Sequence, residues 1–263
     1  MADFLQLIFG TVYLRPYVFI FLTAYLVLAF WHLGAGRALA FLAAGYLIAW
    51  TAELSSIHTG FPFGEYFYIP ATLDREIWVL GVPFMDSLSY VFLAYTSYTL
   101  ALAALTPARR RGWRFHFNGD AARDRPVSTI ILAAVLMATL DVVIDPVALR
   151  GDRWFLGQIY GYPEPGVYFG IPLANFGGWF LVALLMISLL RFLGTHPFTG
   201  PWWNWGRRTF ANQGLLGPAL YLGILSFNLA ITFLIGEPCL GWAGIFIFTP
   251  FLTLTALNLL GRR

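Results

Sequence analysis

The sequence predicts an all-α integral membrane protein of about seven transmembrane helices, forming a single polytopic domain over residues 1–263. Three observations carry this expectation. Hydrophobic residues make up 59% of the chain and charged residues 11%, with a mean hydropathy of +0.71; ordinary globular chains sit near roughly 45–50% and about 25%. So few charges cannot cover a water-facing surface. Seven apolar runs are each long enough to cross a hydrocarbon core of about 30 Å as a helix. All 16 basic residues are arginine, and they crowd into alternate loops. Cys239 is the sole cysteine, so no intrachain disulfide framework can form.

Taken in order, the first two runs cover residues 17–33 and 38–54 and are joined only by a short segment in which Gly34 and Gly36 supply a hairpin turn. The others cover 78–105, 127–144, 167–193, 215–235 and 239–260. No basic segment precedes the first run, and Arg15 abuts it, so no cleavable signal peptide is expected. With seven spans, one set of loops and helix ends holds Arg37, Arg109, Arg110, Arg111, Arg114, Arg123, Arg125, Arg191, Arg207, Arg208, Arg262 and Arg263, which is 12 of the 16. The opposite face keeps Arg15, Arg75, Arg150 and Arg153. Positive charge favours the cytoplasm, which predicts a cytoplasmic C-terminus and 106–126 loop and an outside N-terminus.

The carboxylates divide the other way. Only Asp120 and Asp124 fall on the arginine-rich side. Asp74, Glu76, Asp152 and Glu164 read as solvated termini, whereas Asp141 stands inside a span, where an ionisable residue is expensive and marks function by default. Glu53, Asp86 and Asp145 sit at or inside helix ends on the same side.

Two stretches echo each other. Glu53 leads through a Gly/Pro/aromatic loop to Gly81-Val-Pro83 and Asp86; Asp141 leads through Asp145-Pro146 and Gly161-Tyr-Pro163 to Gly170-Ile-Pro172 and Asn175. The spacing from carboxylate to glycine is 28 residues in the first and 29 in the second. Both units run in the same direction, predicting a parallel internal repeat of helices 2–3 and 4–5 with a site at the interface. Asp86 and Asn175 then occupy matching places in the first turns of helices three and five.

The blocks Glu53 with His58-Thr-Gly-Phe-Pro-Phe-Gly-Glu-Tyr-Phe-Tyr68, Gly81-Val-Pro83, Asp141-x-x-x-Asp145-Pro-x-Ala148, Trp154 and Tyr168-Phe-Gly-Ile-Pro-Leu-Ala-Asn-Phe-Gly-Gly-Trp179 together resemble the membrane-embedded carotenoid biosynthesis family over roughly residues 40–260. The resemblance implies activity like that of its CruF-type members, carotenoid hydratases that add water to the 1,2 double bond of an acyclic (ψ) end. The Arg-rich loop and Trp202-Trp203-Asn204-Trp205 carry no counterpart.

Such a reaction needs an acid that protonates the less substituted alkene carbon, electron-rich walls around the tertiary cation, and a base for the incoming water. It needs no redox cofactor, and none is expected. Burial disfavours a carboxyl's charged form, and a second carboxyl nearby does so further, so paired carboxyls can divide acid and base roles. Asp141 and Asp145, four apart on one helix, share a face; Asp141 ranks first as the acid, followed by Asp145 and Glu53, with Asp86 the fourth catalytic candidate. Tyr66, Tyr68, Trp78, Trp154, Phe176 and Trp179 offer π-faces to a cation, and His58 and Asn175 are placed to orient water. The four histidines lie in separate segments and share no metal-ligand spacing. The expected partners are a carotenoid, water, the lipid bilayer and neighbouring enzymes of the same pathway, with no nucleic acid; the localisation is a bacterial or archaeal cell membrane. A cyclase or isomerase using the same protonation, and a non-enzymatic carotenoid- or lipid-binding protein, remain the alternatives.

Overall fold

The computed structural model describes residues 3–106, 108–111, 114–117 and 126–260. Asp120, Arg123, Asp124, Arg125, Arg262 and Arg263, used above to argue sidedness, lie outside the described residues. Seven described helices are long and apolar enough to cross a membrane: α2 (Pro16–Leu33), α3 (Ala35–Thr59), α4 (Phe84–Leu105), α5 (Pro126–Ala148), α6 (Leu173–Thr195), α8 (Gln213–Leu234) and α9 (Pro238–Leu260). They make this an integral membrane protein. A preceding helix α1 (Phe4–Leu14) is too short to span, and a one-turn helix α7 (Pro201–Asn204) lies between α6 and α8. Short antiparallel pairs join β1 (Phe67–Tyr68) to β6 (Tyr160–Gly161), β2 (Trp78–Val79) to β3 (Val82–Pro83), and β4 (Ala108–Arg111) to β5 (Arg114–Phe117).

The α2–α3 hairpin turns where the sequence places it. Gly34 sits at φ 91°, a conformation that disfavours any side chain with a Cβ, and its N–H donates to the Phe30 carbonyl. Elsewhere hydropathy misjudged the helix starts. Residues 78–83 form the β2–β3 turn rather than helix, because Leu80 and Gly81 both take positive φ before Pro83. In the same way, residues 167–172 precede α6 as irregular chain, with Phe169 and Gly170 at positive φ before Pro172. Apolar loop residues read the same as apolar helix residues in composition, although Leu80 and Val167 prove exposed. Helix α5, in turn, runs past residue 144 to Ala148 with Pro146 inside it; a proline in the last turn forfeits little of the ladder.

Helix α4 is the axis: 16 of its 22 residues are buried, and it packs against all six others. Its Ser, Thr and Ala residues let helices approach closely, as membrane interfaces require. The tightest example is Gly217 of α8, where an added Cβ would stand 2.1 Å from Thr99 Oγ1. We therefore expect Gly217→Ala to lower the thermal unfolding midpoint in detergent through an overpacking cost of about 1–3 kcal/mol. An unchanged midpoint would show that α4 and α8 can separate freely at this level.

Arg37 does more than bias insertion. It is buried, and its guanidinium donates to the carbonyls of Leu33, Leu193, His196 and Trp203 and to Asn204 Oδ1. The cation thereby satisfies carbonyls at the C-terminal ends of α2 and α6, where helix dipoles concentrate negative potential. It also gives the Trp202–Trp205 stretch a place, docked through α7.

Candidate active site

The two echoing units present their polar residues in the same way. Pro83 and Pro172 cap α4 and α6 from extended backbone, each preceded by a positive-φ pair, so Asp86 and Asn175 are both the third residue of their helices. One turn further on stand Tyr90 and Trp179, whose rings stack with centroids 4.2 Å apart and planes 6° from parallel. That stack is where the two units meet.

Each unit also carries a carboxyl bound to a polar partner. On the α3–α4 side, Glu53 is 2% exposed and accepts a hydrogen bond from Ser87 Oγ. Asp86 lies on the same cavity wall, beside Tyr68, whose hydroxyl accepts from the Tyr66 hydroxyl at 3.4 Å. On the α5–α6 side, Asn175 Nδ2 donates to Asp141 Oδ2 at 2.8 Å and to Asp145 Oδ2 at 2.6 Å, and the two carboxyls also reach each other. Asp141 is 0% exposed.

The two sides face a shared cavity of about 110 Å³. Glu53, Asp86, Asp145 and Asn175 form its polar wall, and Tyr66, Tyr68, Tyr90, Trp154, Tyr160 and Trp179 are among its aromatic lining. The roof is the pairing of the two loops, with Phe67 opposite Gly161 and Tyr68 opposite Tyr160. Burial pushes the Tyr68 and Tyr160 phenols well above their ordinary range, and neighbouring carboxylates push them further, so both hydroxyls remain donors at neutral pH.

Most of the expected site residues converge, but not all in the expected place. Asp141 is not on the cavity wall; it stands one helical turn behind Asp145 and touches the wall only through Asp145 and Asn175. His58 is exposed at the end of α3 and lies away from the cavity. Trp78 packs edge-on behind Tyr68 at 6.0 Å, and Phe176 packs on Tyr168 at 5.6 Å, both outside the wall. Glu76 overturns its reading as a solvated terminus: it is buried, pairs with Arg15 at 3.2 Å and accepts from Thr72 Oγ1. Asp74, Asp152 and Glu164 are exposed as expected.

The sequence reading missed Tyr17, Tyr90, Tyr160, Tyr162 and Asn228, all on the wall. The repeat itself carried the signal for three of them. Tyr90 follows Asp86 as Trp179 follows Asn175, and Tyr160 and Tyr162 keep the spacing of Tyr66 and Tyr68. Tyr17 on α2 and Asn228 on α8 have no such marker.

Seven helices able to cross a membrane, six of them lining one carboxyl-bearing, aromatic-walled cavity, define a polytopic membrane protein with a buried polar site. The chain matches the family described as carotenoid biosynthesis protein over residues 9–248 and belongs to it. A bisanhydrobacterioruberin hydratase from Haloarcula japonica is 30% identical over 159 residues, covering 60% of this chain and 45% of the relative, so less than half of that relative's length is matched. No solved structure matches the chain.

Proposed function

We propose that the protein is a carotenoid hydratase acting on the 1,2 double bond of an acyclic ψ end. The observation that carries the proposal is a set of four carboxyls at one aromatic cavity: Glu53, Asp86 and Asp145 on its wall, and Asp141 behind the wall, joined to Asp145 through Asn175. The hydratase relative supports the reaction class.

In this reading the Asp141–Asp145 pair shares a proton, and Asp145, at the wall, hands it to the less substituted alkene carbon. The π electrons form the new C–H bond and leave a tertiary cation, which faces Trp179, Trp154 and the tyrosines. A water held near Glu53 and Asp86 forms the C–O bond and gives its proton to that second pair. Two carboxyl pairs in different surroundings are how one site holds both an acid and a base.

The cavity has room for an end group but not for a whole polyene, so the rest of the substrate lies between helices or in the bilayer. The test is expression in a lycopene-producing host with mass analysis of the extracted pigments. A product heavier by one water is expected. An isomer of the same mass would instead assign a cyclase or isomerase, and unchanged pigment would remove lycopene as substrate.

We also propose that the site end of the bundle faces outside and the arginine-rich end faces the cytoplasm. The exposed Cys239 begins α9 at the site end and is a native reporter. It should react with an impermeant thiol reagent in intact cells. In a Cys239→Ser background, Arg75→Cys should react and Arg110→Cys should not; the opposite pattern would invert the topology.

A further inference from the structure

A second, larger cavity of about 410 Å³ opens at the opposite end of the bundle. Its wall is polar: His32, Tyr98, Thr99, Gln213, Arg191 and Arg207 all line it. The two cavities are not independently placed. On α4 the residues Met85, Ser89 and Phe92 line the first, and Thr99, Ala103 and Thr106 line the second, all on one helical stripe. Helix α2 repeats the pattern with Val18 and Phe21, then Leu28 and His32; α8 repeats it with Asn228 and Ile224, then Gly217 and Gln213.

On each stripe one position is skipped, and the skipped residues are Tyr25, Thr96 and Tyr221, each 0% exposed. They form a single layer between the cavities. The tyrosine hydroxyls in that layer point away from the axis, to the carbonyls of Ala38 and Leu136. From Met85 to Thr106 the stripe runs roughly 30 Å, about the thickness of the hydrocarbon core.

We propose that the two cavities are the ends of one rod-shaped site, and that the second receives the distal end of the polyene whose proximal ψ end reacts in the first. This rests on the carotenoid reading above and deepens it. The distal cavity offers hydroxyl, imidazole and amide groups, so the end it accepts carries a hydrogen-bonding oxygen. Thr99 Oγ1 already donates to the Thr96 carbonyl, Gln213 Nε2 to the Trp31 carbonyl, and His32 Nδ1 meets the Tyr95 hydroxyl; the Gln213 amide oxygen, the second His32 ring nitrogen and the Thr99 oxygen lone pairs are what a hydrocarbon end would leave facing no partner. The substrate class is therefore a polyene already oxygenated at one end, supplied by a reaction that hydroxylates or hydrates that other end first. For one ligand to fill both ends, the Tyr25–Tyr221 layer must part.

The test measures binding rather than turnover. The full chain in nanodiscs is titrated with three polyenes, reading quenching of tryptophan fluorescence. They are a full-length carotenoid with a ψ end and a distal hydroxyl, its distal hydrocarbon counterpart, and a half-length polyene with the same ψ end. Wild-type protein should favour the distal hydroxyl. Leu102→Trp, which projects bulk into the second cavity, should weaken full-length binding by roughly tenfold or more and leave half-length binding unchanged. His32→Phe and Thr99→Val, which keep shape, should each reduce the preference for the distal hydroxyl about fivefold. They keep the proposal testable if Leu102→Trp does not fold. Equal effects on full and half length, or no preference for the hydroxyl in wild type, would overturn it. If the length dependence holds while the pigment-mass experiment yields no hydrated product, the hydratase reading fails and the two-ended site stands.

Discussion

Asp145→Asn should reduce water addition by about 10²–10⁴-fold, the usual contribution of a positioned general acid, while membrane insertion and pigment binding persist. The substitution keeps the shape of the side chain and its contact with Asn175, and removes the proton the alkene must receive. Asp145 is the member of its pair on the cavity wall, whereas Asp141 reaches the substrate only through it. Asp141→Asn should therefore also cost activity, because the shared proton loses one of its two carboxyls. Pigment masses from a carotenoid-producing host measure both. If both variants kept near-normal product while Glu53→Gln abolished it, the acid would belong to the α3–α4 pair, and Asp141 would revert to a helix–helix contact.

The largest stability effect should come from Arg15. Its side chain is 1% exposed, and its partner Glu76 is 0% exposed, so the pair has no solvent to fall back on. Thr72 shares the Glu76 carboxylate, and the backbone N–H of neighbouring Ile77 donates to Thr11 Oγ1 at 2.8 Å, tying α1 to the loop that carries Tyr66 and Tyr68. Arg15→Met would strand a buried carboxylate, a loss of about 3–5 kcal/mol in comparable pairs. We expect a marked fall in the unfolding midpoint in detergent. The double variant Arg15→Met/Glu76→Met should recover much of it, since two apolar side chains leave no uncompensated charge. A single variant as stable as wild type would mean that Glu76 finds another partner or water, and that the loop is not held by this pair.

The reading of Glu76 from sequence failed for a reason that applies more widely. A carboxylate between polar loop residues looks solvated until one knows that an arginine 61 positions earlier folds over it. His58 failed in the reverse direction: it neighbours Glu53 in sequence, but the helix turns it outward to the surface. Asp141 was singled out because its neighbours are apolar, and it is indeed buried. Apolar neighbours, however, mark depth in the bundle rather than contact with a cavity. Asn175, by contrast, lines the same cavity as Asp86, the residue with which the repeat equates it, and the same equation leads to Tyr90.

The amino-acid sequence alone determined the membrane class, the seven spans, the hairpin at Gly34 and the collection of carboxylates toward one end of the bundle. Those features follow from local quantities: the transfer free energy of an apolar run, the φ that a glycine tolerates and the parity of successive crossings. Only the tertiary structure decided where α4 and α6 begin, which carboxyl faces the cavity, and that α2 and α8 add Tyr17 and Asn228 to its wall. These depend on how α4 packs against all six other spans, and packing is set by side chains far apart in the chain meeting at a few ångströms, which no local pattern records.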